Sequence, residues 1–248
     1  MKINVLTDLN LAGVYWELAE KPIQNDVKKR PVQQTFSTNH SKIEKNVIVP
    51  PSAPITLDTV KSMVERPTDI DSLIRMIGEF NHPLKAGVTN TVMPNIADKP
   101  NGLLIITDSP STDDDLSGHV LSGNAGEMTD KMLSAIGMSR ENVSIVPLLF
   151  WRTPGGRSPS REELDLSIPF VEKIIEKLSP KVIVTFGTLA TIEITKRNLS
   201  DVHGNEIIDD KNRLIIPMYH PNYLILKPSA KKDVWAALQN VQKLLKNA

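Results

Sequence analysis

The chain has 248 residues, 40% of them apolar, which is material for one core of ordinary size plus a substantial extra segment. Its 29 Lys and Arg balance 29 Asp and Glu, so no global positive field marks a nucleic-acid partner; such a reading must rest on a local basic face. The absence of cysteine excludes a disulfide framework, Cys-ligated zinc and an ordinary iron–sulfur cluster.

Residues 1–53 form an N-terminal segment of their own character. Met1 to Asp8 lack the long apolar core of a signal peptide, and no window approaches the roughly 18 apolar residues of a membrane span. A soluble, cytoplasmic protein is expected. Leu11, Val14, Tyr15, Trp16 and Leu18 make a short apolar cluster, read either as a docking helix for a partner or as a helix packed on the chain itself. The polar stretch that follows, through Ser52, has no periodicity and is expected to be flexible.

The segment 54–248 is expected to fold as one domain, with a helical lead-in at 54–82 and an α/β core at 102–248. In the lead-in, Ile55, Leu57, Val60, Met63 and Val64 make one apolar face, and Ile70, Leu73, Ile74, Ile77 and Phe80 a second. Pro67 separates them, with Asp69 or Asp71 as cap. Leu103, Leu104, Ile105 and Ile106 then read as a buried parallel strand, and Ala125, Met128, Met132, Leu133 and Ile136 as a helix closing at Gly137.

Val143 to Val146 form the second strand, whose pairing Pro147 should end for want of an N–H. Ser160-Arg161-Glu162-Glu163 has the form of a capping box opening a helix to about Leu178, with a kink or restart expected at Pro169. A third strand runs to Gly187, with a helix from Thr188; a fourth spans Leu214 to Met218, before a last helix at about 229–246. The pattern implies a three-layer α/β/α sandwich around a central, mostly parallel four-stranded sheet, with ligands beyond the carboxyl ends of the strands.

The chemistry-bearing residues cluster at those ends. Met218-Tyr219-His220-Pro221-Asn222-Tyr223-Leu224 aims one imidazole at a cleft and a Tyr/Leu wedge outward. That layout suits an enzyme that draws a base out of a DNA duplex and fills the gap, although a lone histidine at a strand end is more often structural. Asp108 and the run Asp113-Asp114-Asp115 follow the first strand; they suit activation of a water, stabilisation of a sugar cation, a divalent ion, or plain helix capping. Arg152 and Arg157, in a stiff loop beside Trp151, suit phosphate contact, or an ordinary surface loop. Lys227, Lys231 and Lys232 form a basic patch, or simply a solvated helix start.

Together, residues 118–133, 151–159, 181–190 and 220–224 resemble the type-four uracil-DNA glycosylases, the iron–sulfur branch of that superfamily, and the similarity extends over roughly 80–240. The resemblance implies hydrolysis of the bond between uracil and deoxyribose on a flipped-out nucleotide. By position, His220 corresponds to the histidine that stabilises charge on the departing base, while Asp108 and Asp114 correspond to the carboxylates of the site. Leu121 stands where the family stacks Phe on uracil, Pro147 where an Asn reads the base edge, and Gly156 where another Asn is usual. Thr107, Ser109 and Ser111 replace small or glycine positions, with Ser109 lining the base. Arg152, Arg157, Tyr223, Leu224 and Lys227 are the expected DNA contacts. Glu79, His82, Trp151 and Ser167 occupy the positions of the four cluster cysteines, so no cluster or other cofactor is expected.

Three readings follow: an active glycosylase for uracil or a related damaged base, a diverged DNA-binding module, and an interaction protein docking on a repair or replication partner through its N-terminal segment. A monomer is expected in each.

Overall fold

The computed structural model describes residues 55–247, so the expectations for 1–53 lie outside the described residues. The lead-in forms two helices, α1 (Leu57–Val64) and α2 (Ile70–Glu79). Thr56 caps the first and Asp69 the second, each side chain accepting a free backbone N–H of the opening turn. Their buried residues, Val60 with Val64 and Leu73 with Ile77, recur at four-residue spacing and face one core.

The central sheet has the order β2-β1-β3-β5-β4: β1 (Leu103–Thr107), β2 (Ser144–Pro147), β3 (Val182–Phe186), β4 (Ile207–Ile208) and β5 (Leu214–Met218). The first three and β5 pair in parallel, and β4 runs antiparallel along β5. The strand residues are almost all buried, as a sheet covered on both faces requires. On one face lie α1, α2, α5 (Arg161–Leu178), α6 (Thr188–Thr195) and α7 (Leu199–Val202). On the other lie α4 (Gly123–Ala135), α8 (Pro221–Leu226) and α9 (Lys231–Asn247). A short helix, α3 (Thr112–Ser117), sits between β1 and α4. Among the described residues no helix is long and apolar enough to cross a membrane.

The α/β/α sandwich is therefore the fold, with three local corrections to the expected elements. A fifth strand, β4, extends the four-stranded sheet; only Ile207 of its two residues is buried, too little for a periodic signal. Pro147 does not end pairing at once: it sits in register with Thr107, and Leu148 N–H donates to the Thr107 carbonyl at 2.8 Å. Helix α5 passes Pro169 without a restart, held on both sides of it by buried Leu164, Phe170, Val171 and Ile174. Tertiary packing there outweighs the one lost backbone bond.

Candidate active site

The carboxyl ends of the parallel strands line up in a row. Pro147 is in register with Thr107, Thr107 with Phe186, and Phe186 with Met218. Strand alternation puts all four on the layer that holds Leu121 and Leu224. The loops leaving this row carry the polar residues.

Asp114 is fixed from three directions. Ser111 and Asp114 form a reciprocal capping box, in which the Ser111 N–H and hydroxyl both donate to Asp114 Oδ2 at 2.8 Å. Ser122 N–H donates to Oδ1 at 2.6 Å. The carboxylate is buried and oriented, and one lone pair of Oδ1 is left over for a further donor. Its neighbours on α3 diverge, as consecutive helical residues must. Asp115 is buried and accepts from Thr89 N and Asn90 N, whereas Asp113 is exposed and lies against Gly123 at the start of α4.

Asp108 turns to the opposite side. Its Oδ1 accepts from Ala190 N at 2.7 Å, at the open N-terminus of α6. Burial pushes this carboxyl up to about 6, against the amides of Ala190, Leu189 and Thr188, which favour the charged form. Gly187 makes the contact possible: its φ is +102°, and a Cβ there would collide with the Asp108 carboxylate.

His220 leaves β5 and caps α8, with Nδ1 accepting Asn222 N–H at 3.2 Å. Burial lowers its pKa to about 4, and the opposing pull of the Asp114 charge is the smaller effect. The imidazole is therefore neutral at physiological pH. With Nδ1 accepting, its proton resides on Nε2, which is left as a hydrogen-bond donor.

The remaining expected residues are distributed less evenly. Leu121 is buried and has a φ of +51°, a strained conformation for a non-glycine residue. Arg140, which carried no signal in the sequence, holds this turn by donating to the carbonyls of Val120 and Leu121 at 2.9 and 2.6 Å. Ser109 is half-buried and Pro147 fully buried. Arg152 is half-buried, while Arg157 is engaged by a two-pronged pair with Glu163 of α5. Leu224 is only 1% exposed and packs into the core, so it does not face outward; Tyr223, Ile225 and Leu226 are the exposed apolar residues of α8. Lys227 lies over the Tyr223 ring, 5.8 Å from its centroid.

The four positions expected to correspond to cluster ligands do not fit a four-iron cluster. Trp151 is fully buried and stacks on His82, ring centroids 4.3 Å apart and planes 6° from parallel. Both nitrogens of His82 are used, Nε2 with the Glu163 carbonyl and Nδ1 with Leu84 N–H. Ser167 donates to the Leu148 carbonyl, and Glu79 is exposed. Aromatic packing with Phe80 and Phe170 fills the region.

The family model of the uracil DNA glycosylase superfamily matches residues 94–241, spanning β1 to α9 and the whole site. The type-4 uracil-DNA glycosylase of Archaeoglobus fulgidus is 28% identical over 167 residues, 63% of this chain and 82% of that protein. The type-4 uracil-DNA glycosylase of Thermotoga maritima is 30% identical over 146 residues, 58% of this chain and 76% of that protein. Sheet order, helical layers and this match together place the chain in the uracil-DNA glycosylase superfamily.

Proposed function

We propose that the protein hydrolyses the N-glycosidic bond of uracil, or of a related damaged base, in DNA, acting on a nucleotide flipped out of the duplex. The observation that carries this reading is His220, neutral by burial, with Nδ1 engaged by Asn222 N–H so that Nε2–H is left to donate, and with the Asp114 charge near enough to act on the ring. As the bond between base and C1′ breaks, its electron pair goes to the base, and a preoriented neutral donor stabilises the anion that forms. The deoxyribose becomes electron-deficient at C1′. The Asp114 carboxylate lowers the energy of that cation and takes the proton lost as water adds to C1′, while the departed base anion is protonated from solvent, so that the sum is hydrolysis. Asp108 supplies a second carboxylate at the same strand ends. Asp114 is held by three hydrogen bonds, so it pays little reorganisation in the transition state.

DNA is the proposed partner. Arg152, Lys227 and the neighbouring Lys231 and Lys232 suit phosphate contacts, and Arg157 joins them on leaving Glu163. Tyr223, Ile225 and Leu226 supply the apolar wedge, with Leu224 anchoring it from inside. The protein acts as a monomer in this reading, and residues 1–53 remain a candidate contact for a repair or replication protein.

A second reading, a DNA-binding module with weakened catalysis, is favoured by the Asp108 bond to α6, which occupies one of the carboxylates. Single-turnover cleavage of a uracil-containing oligonucleotide, developed with alkali, separates the two. Cleavage reduced by both His220→Ala and Asp114→Asn supports the glycosylase. No cleavage at concentrations where DNA is bound leaves the binding module.

A further inference from the structure

Three buried side-chain polar atoms lack a hydrogen-bond partner among the described residues, and two of them, Thr107 Oγ1 and Ser109 Oγ, lie in this site. Buried hydroxyls without partners are uncommon because the unmade bond costs free energy, which a ligand group placed against them recovers. Thr107 is 4% exposed and is the single polar side chain of the row Pro147, Thr107, Phe186 and Met218. Pro147 beside it brings no polar side-chain atom, and Phe186 and Met218 bring none able to bind an amide edge. Any side-chain hydrogen bond from this row to a base must therefore come from Thr107. Ser109, two residues on, follows it out of β1 into the loop that carries the capping box.

We infer that the Thr107 and Ser109 hydroxyls read the edge of the extruded nucleobase, a role that rests on the glycosylase reading above. The ligand class is a base with adjacent carbonyl and ring N–H groups, as in uracil. A hydroxyl rotates to donate to the carbonyl or to accept from the N–H, so the pair selects a polar edge without fixing one order of donors and acceptors. Neither hydroxyl is open to solvent in this structure, so a base reaching them must displace the side chains packed over them.

Thr107→Val keeps the shape and removes only the hydroxyl. Replacing an unpartnered buried hydroxyl by a methyl leaves the melting temperature equal or higher. Uracil excision under single-turnover conditions is expected to fall about tenfold, roughly the worth of one hydrogen bond. Thr107→Ser restores it to within about threefold, and Ser109→Ala lowers it on its own. Excision by Thr107→Val at the unmodified rate overturns the inference while the glycosylase reading stands.

Should the unmodified protein excise no uracil, binding is compared between duplexes carrying a 2,4-difluorotoluene deoxynucleoside, which keeps the ring shape but lacks the carbonyl and N–H edge, and 2′-fluoro-2′-deoxyuridine, whose glycosidic bond resists hydrolysis. A preference for the latter that Thr107→Val abolishes supports the hydroxyl reading without catalysis. No preference overturns it.

Discussion

His220 and Asp108 are displaced from their ordinary pKa values in opposite directions by the same cause, burial, and the consequences for pH differ. Histidine falls from 6.5 to about 4, so between those values the unfolded chain binds a proton that the folded one refuses. Its contribution to stability is complete above 6.5 and is lost as pH falls through that window. Asp108 rises from 3.8 to about 6, so the folded protein holds its proton more tightly. That contribution is present below 3.8 and is lost as pH rises towards 6. If Asp108 works as a carboxylate, excision increases as pH rises through about 6, with no inflection from His220 between there and neutrality. Single-turnover rates across that range test this. Asp108→Asn should remove the acid limb, and a limb unchanged in that variant would assign it elsewhere. Gly187→Ala belongs at the same scale. Its methyl group would collide with the Asp108 carboxylate in a backbone conformation of φ +102°, so the variant should lose both melting temperature and activity.

The core face beneath α1, α2 and α5 turns on the packing of Trp151. Its ring touches His82, Phe80 and Phe150, and its Nε1–H donates to Thr91 Oγ1 at 3.2 Å. Trp151→Ala should cost about 3–5 kcal/mol, since neighbours anchored by β2, α2 and α5 cannot collapse into the space. For a domain of this size that lowers the melting temperature by roughly 10 °C, measurable by calorimetry. Trp151→Phe should lose much less. With no thiolate at any of the four positions, apolar and aromatic packing is what holds this region. Apolar runs such as Leu103 to Ile106 made the parallel strands legible, as did the four-residue spacing of Val60 and Val64 for α1. Helix caps at Asp69 and Ser160 were legible for the same local reason. Residues whose role depends on distant chain were not. Arg140 reaches the Leu121 turn from 19 residues away, and Asp108 meets an amide 82 residues on. The burial of Leu224 also follows from a whole α8–α4 contact, which no seven-residue motif contains.

At the scale of the molecule, zero net charge constrains how DNA can be held. Phosphate contacts must come from the few cations near the site, Arg152, Lys227, Lys231 and Lys232, with Arg157 in competition with Glu163. About four neutralised phosphates give a slope of log affinity against log salt near −3.6 or shallower. A slope well beyond that in a salt titration would require phosphate contacts beyond these four side chains. With so small an electrostatic share, the apolar residues of α8 carry more of the work of holding an opened duplex. Leu226, 84% exposed, makes no core contribution that would explain an aliphatic side chain in that position. Leu226→Ala should therefore leave the melting temperature unchanged. Excision from duplex DNA should slow about tenfold, about 1.4 kcal/mol, the share of the unstacking cost that one aliphatic side chain offsets. Excision from single-stranded DNA, where no gap has to be filled, should be nearly unaffected. Equal loss on both substrates would show that Leu226 grips the strand and does not replace the extruded base.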